Sequence, residues 1–389
     1  MLTPEQTAII KATVPLLETG GEALTTHFYK VMLGEYPQVR PLFNQAHQAS
    51  GAQPRALANS VLMYANNIDK LQALGPLAAQ IINKHVALQV QPEHYPIVGA
   101  CLLRAIREVL GAEIATDAVI DAWGAAYQQL ADQLIGAEAG IYDQLAAAPG
   151  GWRGGRAFRV ARKVAESAEI ASFYLEPVDG KPVLDFTPGQ YLGVQLMIDG
   201  QEVRRNYSLS AAANGRSYRI SVKREPHGLA SGFLHDQVRE GDVLEVFPPA
   251  GDFVLRDGDS PLVLISGGVG VTPTLAMAEA ALADGKRDVT FLHYARNKNV
   301  QAFKETLEGW AARYPRFRGV TVYEQGDSDV RGRPEIGHLQ RYLPEGLDCD
   351  VYFLGPKPFM AAIKKSLTAL GLPEERLRYE FFGPAEVLD

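Results

Sequence analysis

Of the eight histidines in this 389-residue chain, one sits on a clean apolar stripe. Leu77, Ile81, His85 and Leu88 recur at i, i+4, i+8 and i+11, which places the imidazole in the middle of one helical face. Such a histidine is either a core residue satisfied by a backbone carbonyl or a metal ligand. A second stripe, Trp123, Tyr127, Leu130, Leu134, Ile141 and Leu145, contains Glu138. A carboxylate on a core face is costly unless it is paired or hydrogen-bonded. A ligating imidazole donates its other ring N–H to an acceptor, which fixes its tautomer and raises its basicity. Glu138 is therefore a candidate partner for His85, the alternative being a carboxylate that snorkels past a helix end to water. Gln53, Leu57 and Val61 form a third stripe with a polar member, Tyr29 lies beside the face of Leu24, Phe28, Val31 and Met32, and Phe43 sits in Pro41-Leu42-Phe43-Asn44. Together they could line one pocket.

A second group of residues has the chemistry of nucleotide binding. Arg205-Asn206-Tyr207-Ser208 resembles the R-x-Y-S/T element of the ferredoxin–NADP reductase superfamily: a guanidinium for a diphosphate, a ring to stack on a flavin, a hydroxyl for its N5. Pro188-Gly189-Gln190-Tyr191 precedes it, and His227-Gly228-Leu229-Ala230-Ser231 follows, where Gly228 and Ser231 can cradle phosphates. Ser266-Gly267-Gly268-Val269-Gly270-Val271-Thr272-Pro273 comes straight after an apolar run and opens a helix. Its glycines let the backbone approach a pyrophosphate, and the helix N-terminus offers N–H donors. Pro273 suits the first helical position. It also stands where a Rossmann G-x-G-x-x-G fingerprint needs its third glycine, which points away from that class of dehydrogenase.

The elements that must position these residues fall into three blocks. Residues 1–147 read as helices throughout. Thr3-Pro4-Glu5-Gln6 has the form of a capping box, Gly20-Gly21 is expected to end the first helix, and a second over 22–36 stops before Pro37. Further stripes predict helices over 55–68, 76–90, 93–110 and 117–146. Residues 148–155, rich in Gly and Pro, read as a linker. Residues 156–258 carry short β-rich runs (YLGVQLMI, SYRISVKR, DVLEVF) between turns such as Asp199-Gly200, predicting a small antiparallel barrel. Residues 259–389 alternate apolar strands (PLVLIS, DVTFLHY, GVTVYE, DVYFLG) with helical stretches, as a parallel α/β domain does. The expectation is an all-α domain, an antiparallel β-barrel and an α/β parallel-sheet domain in that order.

Composition removes other classes. The formal net charge is −7 with no block of Lys and Arg, which argues against nucleic acid. No apolar run approaches the roughly 20 residues of a membrane span, and Met1–Ile10 lacks a basic leader, so a cytoplasmic location is expected. Cys101 and Cys349, far apart, suit a reducing compartment and cannot hold a plant-type iron–sulfur cluster.

With these residues on the page, the chain resembles the flavohaemoglobins of bacteria and yeast. HFYKVML, PLFN, the Gln53–Leu57 spacing, NKHVALQVQPEHYPIVG and IDAWGAAYQQLADQLIGAEAGIY carry the likeness in the first block, and the reductase motifs carry it in the rest. The resemblance implies a globin domain binding haem b, an FAD domain and an NADH or NADPH domain. It makes His85 the proximal ligand of the haem iron, with Tyr95 and Glu138 hydrogen-bonding around it and Lys84 beside it tuning the potential. On the distal side it assigns Tyr29 to stabilise bound dioxygen, flanked by Gln53 and Leu57, with Phe43 packed on the porphyrin. An electron-rich proximal imidazole favours oxygen activation over storage. FAD would be held by Tyr191, Arg205, Asn206, Tyr207, Ser208, Gly228 and Ser231. The nicotinamide nucleotide would be held by Gly268, Val269, Gly270, Val271, Thr272, Pro273, Gly355 and Pro356, with Leu354 replacing the usual Cys of a Cys-Gly-Pro element. The segment Glu380-Phe381-Phe382-Gly383-Pro384 would return to the flavin, an aromatic covering one face and Glu380 influencing its potential.

The implied activity is nitric oxide dioxygenation: NAD(P)H reduces FAD, FAD reduces the haem iron, and dioxygen held there oxidises nitric oxide to nitrate. Hydride carries two electrons and haem accepts one at a time, so a flavin is the necessary converter. A lipid or alkyl hydroperoxide reductase and a haem-based oxygen or redox sensor are the other readings. A monomer is expected. The choice between NADH and NADPH, for which a 2′-phosphate site would be sought near His293–Arg296, stays open, as does a lipid in the distal pocket.

Overall fold

The computed structural model describes residues 2–44, 48, 50–326, 331–383 and 388. They divide into two compact units, Met1–Ala147 with Gln195–Arg205, and Ala148–Val194 with Asn206–Asp389.

The first unit is helical. α1 (Pro4–Glu35) opens with the expected capping box: Gln6 N–H donates to Thr3 Oγ1 at 3.1 Å and Thr3 N–H donates to Gln6 Oε1 at 2.9 Å. It does not end at Gly20-Gly21 but runs on to Glu35. Each glycine costs a helix about 1 kcal/mol relative to Ala. Burial of Ile10, Leu24, Phe28 and Met32 along the same helix offsets this, at roughly 1.5–3 kcal/mol per large side chain. Gly21 also allows a close crossing, since a Cβ there would already touch Ala58 Cβ at 3.5 Å. A 3₁₀ turn over Pro37–Leu42 leads to α2 (Ala52–Asn66), α3 (Gly75–Leu88), α4 (His94–Leu110) and α5 (Asp117–Ala147). α3 stops at Gln89, which takes a left-handed φ of 58° so that Val90 N–H can return to the His85 carbonyl at 2.9 Å.

The β-rich part has β1 (Arg156–Ala165), β2 (Ile170–Pro177), β3 (Tyr191–Ile198), β4 (Gln201–Ser208), β5 (Tyr218–Lys223), the short α6 (Leu229–Asp236) and β6 (Val243–Val246). The six strands form one curled sheet in the order β4-β3-β6-β1-β2-β5, and its edges meet through an antiparallel bridge between Leu209 and Ile220. Asp199 and Gly200, with φ of 51° and 76°, make the tight β3–β4 turn. Arg205–Ser208 therefore lie within β4 itself.

The last part alternates β7 (Leu262–Gly267), α7 (Val271–Asp284), β8 (Val289–Ala295), α8 (Lys304–Arg313), β9 (Phe317–Tyr323), α9 (Ile336–Tyr342), β10 (Asp350–Leu354), α10 (Lys357–Ala369) and β11 (Leu377–Tyr379). Its parallel sheet has the order β11-β10-β7-β8-β9. The direction of winding reverses between β7 and β10, so their C-terminal ends flank the crevice where open α/β sheets bind ligands. The expected succession of all-α, antiparallel β and parallel α/β architecture is borne out. Among the described residues no helix is long and apolar enough to cross a membrane.

Candidate active site

In the helical unit, α3 supplies His85, α4 supplies Tyr95 and α5 supplies Glu138. The three side chains meet at one oxygen: Glu138 Oε1 lies 2.7 Å from His85 Nδ1 and accepts the Tyr95 hydroxyl at 2.7 Å. The Tyr95 hydroxyl is also 3.1 Å from Nδ1. Glu138 is buried, its side chain 3% exposed, whereas the His85 side chain is 31% exposed. The buried carboxylate thus has two donors, and the snorkelling alternative falls away. Burial first, then the hydrogen bond to Glu138 and its charge, push the Tyr95 phenol far above its ordinary range, so it stays a donor. Both contacts use Nδ1, which fixes the tautomer and leaves Nε2 as the nitrogen able to bind a metal. That donor set fits a haem iron, which takes a single proximal imidazole. No cluster of three or more His, Cys, Asp or Glu suited to a metal occurs among the described residues, so the lone imidazole is the candidate ligand.

Tyr142, which lies off the apolar stripe of α5, and Tyr127, which lies on it, hold this arrangement from behind. Tyr142, one turn after Glu138, donates to the Val90 carbonyl at 2.9 Å and to the His85 carbonyl at 3.5 Å. Tyr127 donates to the Tyr95 carbonyl at 2.6 Å, and its ring lies so close to Gly99 that a Cβ there would sit 2.6 Å from Cε1. The i+4 spacing of Glu138 and Tyr142 was the available signal for the first.

Tyr29, Phe43, Gln53 and Leu57 also come together. Tyr29 is 5% exposed, its ring packs edge-on to Phe43 at 5.5 Å, and Gln53 Nε2 approaches its hydroxyl at 3.4 Å. Burial, opposed weakly by Gln53, raises the Tyr29 pKa well beyond its usual value, so the phenol keeps its proton. Leu57 and Phe43 pack against the same core. Of the other histidines, His94 accepts the Gln91 N–H at Nδ1, 3.0 Å away, and so caps a turn. Lys84 is half-buried beside His85 on α3.

In the second unit, Tyr191 is buried, and burial followed by the nearby charges of Glu380 and Asp252 raises its pKa. It rests on Gly251, where φ is +117° and a Cβ would come within 2.7 Å of the ring. Tyr207 and Ser208 follow at the end of β4, both half-buried, and Asn206 is exposed. Ser231 is turned into its own loop, accepting the Glu225 N–H at 3.1 Å and donating to the Gly228 carbonyl at 3.3 Å. It shapes the turn at Gly228, which begins α6. Glu380 is buried, Phe381 and Gly383 lie on the segment after β11, and Phe382 is exposed. Pro384 lies outside the described residues, as does His47.

The glycine loop after β7 forms a 3₁₀ turn over Gly268–Gly270 before α7 begins at Val271. Pro273 is therefore the third helical residue, not the first, still within the turn whose N–H groups need no helical partner. Gly268 has φ +56° with open space where a side chain would stand, and Gly270 packs on the next loop, a Cβ there lying 2.4 Å from the Leu354 oxygen. Val269 is half-buried, and Val271, Thr272 and Pro273 are buried. The Phe359 ring lies against both Gly267 and Gly355, with Pro356 capping α10. His293 is wholly buried beneath this loop, its Nδ1 2.8 Å from Ser266 Oγ, and burial pushes its pKa down to about 4. At the end of β8 the Tyr294 hydroxyl is buried with no partner among the described residues. The left-handed Gly268, with open space at its Cα just before the start of α7, fits the close approach of a bound pyrophosphate.

Comparison with known proteins agrees with this layout. The globin family model matches residues 26–134, the oxidoreductase FAD-binding domain 157–255 and the oxidoreductase NAD-binding domain 264–365. The flavohemoproteins of Pseudomonas aeruginosa and a Burkholderia species are each 64% identical over the full length of both chains. Among solved structures, the flavohemoglobin of Malassezia yamatoensis with bound FAD and heme superposes with a TM-score of 0.87 at 28% identity, covering 98% of this chain and 100% of its own. The FAD/NAD-binding domain of nitric oxide dioxygenase from Vibrio cholerae covers 60% of this chain and 100% of its own, with a TM-score of 0.56 and 39% identity.

Proposed function

The chain belongs to the flavohaemoprotein family, an NAD(P)H-dependent oxidoreductase whose cofactors are haem, FAD and a nicotinamide nucleotide, and from that premise we propose that it is a nitric oxide dioxygenase. The observation that carries this reading is the single carboxylate oxygen shared by His85 Nδ1 and the Tyr95 hydroxyl. When bound, the cofactors supply the redox chemistry: hydride from the nicotinamide is parted at FAD into single electrons, which reach iron and dioxygen. Two nitric oxide and two dioxygen molecules are consumed per NAD(P)H, giving two nitrate ions, one NAD(P)+ and one proton.

The protein's residues do the rest. His85 would hold the haem iron through Nε2, and Glu138, buried behind it, accepts the Nδ1–H and so makes the imidazole a more basic ligand. With haem bound, such a ligand would favour oxygen activation over storage. Tyr29, held protonated by burial, would offer its O–H to substrate oxygen in this pocket, with Gln53 Nε2 beside its hydroxyl and Leu57 and Phe43 excluding water. Tyr191, Arg205, Tyr207 and Ser208 would hold FAD. Gly268 and Gly270 would admit the pyrophosphate at the start of α7, and the fully buried Leu354 leaves that site without a thiol. The test is aerobic nitric oxide consumption that depends on NAD(P)H and yields nitrate; consumption without nitrate sinks the proposal. Similarity to the Vibrio cholerae domain supports the same reading.

A further inference from the structure

The last turn of α3, which carries His85, has its carbonyls answered almost entirely by its own neighbourhood. The His85 carbonyl receives Val90 N–H and the Tyr142 hydroxyl, and the Val86 carbonyl receives the Gln89 N–H at 3.1 Å and its Nε2 at 2.9 Å. Leu88, the final residue, is different: its carbonyl accepts Arg204 Nη1 at 2.7 Å, from β4. Both residues belong to the first compact unit, which takes in 195–205 along with the helices. A guanidinium at a helix C-terminus is doubly suited to its place, as a donor to an unpaired carbonyl and as a cation at the negative end of the helix.

Arg204 is well fixed. Its Nε donates to Glu202 Oε1 at 2.6 Å, and its side chain is only 18% exposed. It also stands near the start of α4: His94 has its pKa lowered by burial and, against the opposing charge of Glu93, by that of Arg204. The next residue is Arg205, the first of the R-x-Y-S element. On a strand, neighbours point to opposite faces, so β4 offers two adjacent guanidiniums to two different sides. They are joined, because Arg205 Nη1 donates to the Arg204 carbonyl at 2.6 Å.

We propose that Arg204 is a positioning residue through which occupancy of the flavin site is felt at the helix that carries His85. A diphosphate that recruits the Arg205 guanidinium changes its hold on the Arg204 carbonyl, and the Arg204 side chain passes that change to the closing turn of α3. The proposal rests on the assignment of His85 to iron and Arg205 to FAD made above.

The experiment uses the full-length, haem-loaded chain with FAD bound and with FAD stripped. Hydrogen exchange is followed in peptides spanning 85–90, and the iron–histidine stretching vibration of the reduced protein is recorded by resonance Raman. In the parent protein FAD slows exchange in this segment on the order of tenfold and shifts the vibration. In Arg204→Ala both effects of FAD vanish, while Arg204→Lys, which keeps the charge and one donor, retains part of them. Equal responses to FAD in the parent and Arg204→Ala, or no response in the parent, overturn the proposal. Arg204→Lys and Glu202→Gln repeat the comparison if Arg204→Ala does not fold. Failure of the underlying assignment is separately visible, as a Soret band that survives His85→Ala or flavin that survives loss of the Arg205 side chain.

Discussion

Replacing Glu138 by Gln tests the proximal arrangement most directly. The amide has nearly the same shape and still offers an oxygen to the Tyr95 hydroxyl and to His85 Nδ1–H, each now 2.7 Å from Oε1. What it removes is the charge. Hydrogen bonds to a charged group contribute roughly 1.5–3 kcal/mol against about 1 kcal/mol for neutral ones, so the two bonds together weaken by about 1–4 kcal/mol. The oxidised iron draws more density from the imidazole than the reduced iron and feels more of that loss. If half of it is differential, the ferric state is destabilised by about 0.5–2 kcal/mol, or roughly 20–90 mV for one electron. Because the Glu138 side chain is only 3% exposed, solvent screens little of this. Spectroelectrochemical titration of the Soret band should therefore show the haem midpoint rising in Glu138→Gln, with flavin reduction by NADH unaltered. A midpoint that stays put or falls refutes the claim that the carboxylate charges the ligand.

Three further outcomes are expected. His85→Ala loses the Soret band while the flavin spectrum persists; stoichiometric haem in that variant would place the ligand elsewhere. Gly270→Ala puts a carbon 2.4 Å from a main-chain oxygen, so it should cost about 1–3 kcal/mol in thermal unfolding of the reductase and slow flavin reduction by NADH, and an unchanged melting temperature would count against it. His293 is neutral in the fold with its pKa near 4, against 6.5 when free, so below pH 6.5 the unfolded chain takes up a proton that the folded chain does not. Stability should fall as pH drops from 6.5 towards 4, by about 3 kcal/mol at the end of that window, and urea titrations of His293→Gln should lack that part of the slope.

The amphipathic stripes made much of this legible in advance. The inward facing of His85 and Glu138 follows from helical period alone, and the parallel strands could be read as apolar runs because both of their faces are covered. Four kinds of feature were hidden. The continuation of α1 through Gly20-Gly21 depends on burial and on a crossing with α2, which local propensity does not see. β1, with only Phe158 and Val160 fully buried among ten residues, has too little alternation to stand out. The duties of Ser231, Tyr127 and Tyr142 are hydrogen bonds to backbone, which leave no trace in a pattern of side-chain types. Pro273 stands third in α7 rather than first because a 3₁₀ turn, invisible to a helical template, precedes the helix.

Gly270 and Leu354 touch, but through unlike atoms, and this makes them unequal under mutation. The partner that forbids a side chain at 270 is the carbonyl oxygen of residue 354, which every amino acid possesses. Selection acting on a saturation library should therefore hold position 270 at glycine while letting position 354 drift among residues that fill the same apolar space. An exchange between Leu and Cys at 354 would leave the loop-to-loop seam intact, so lineages can lose or regain a thiol here without first remodelling the turn that faces it.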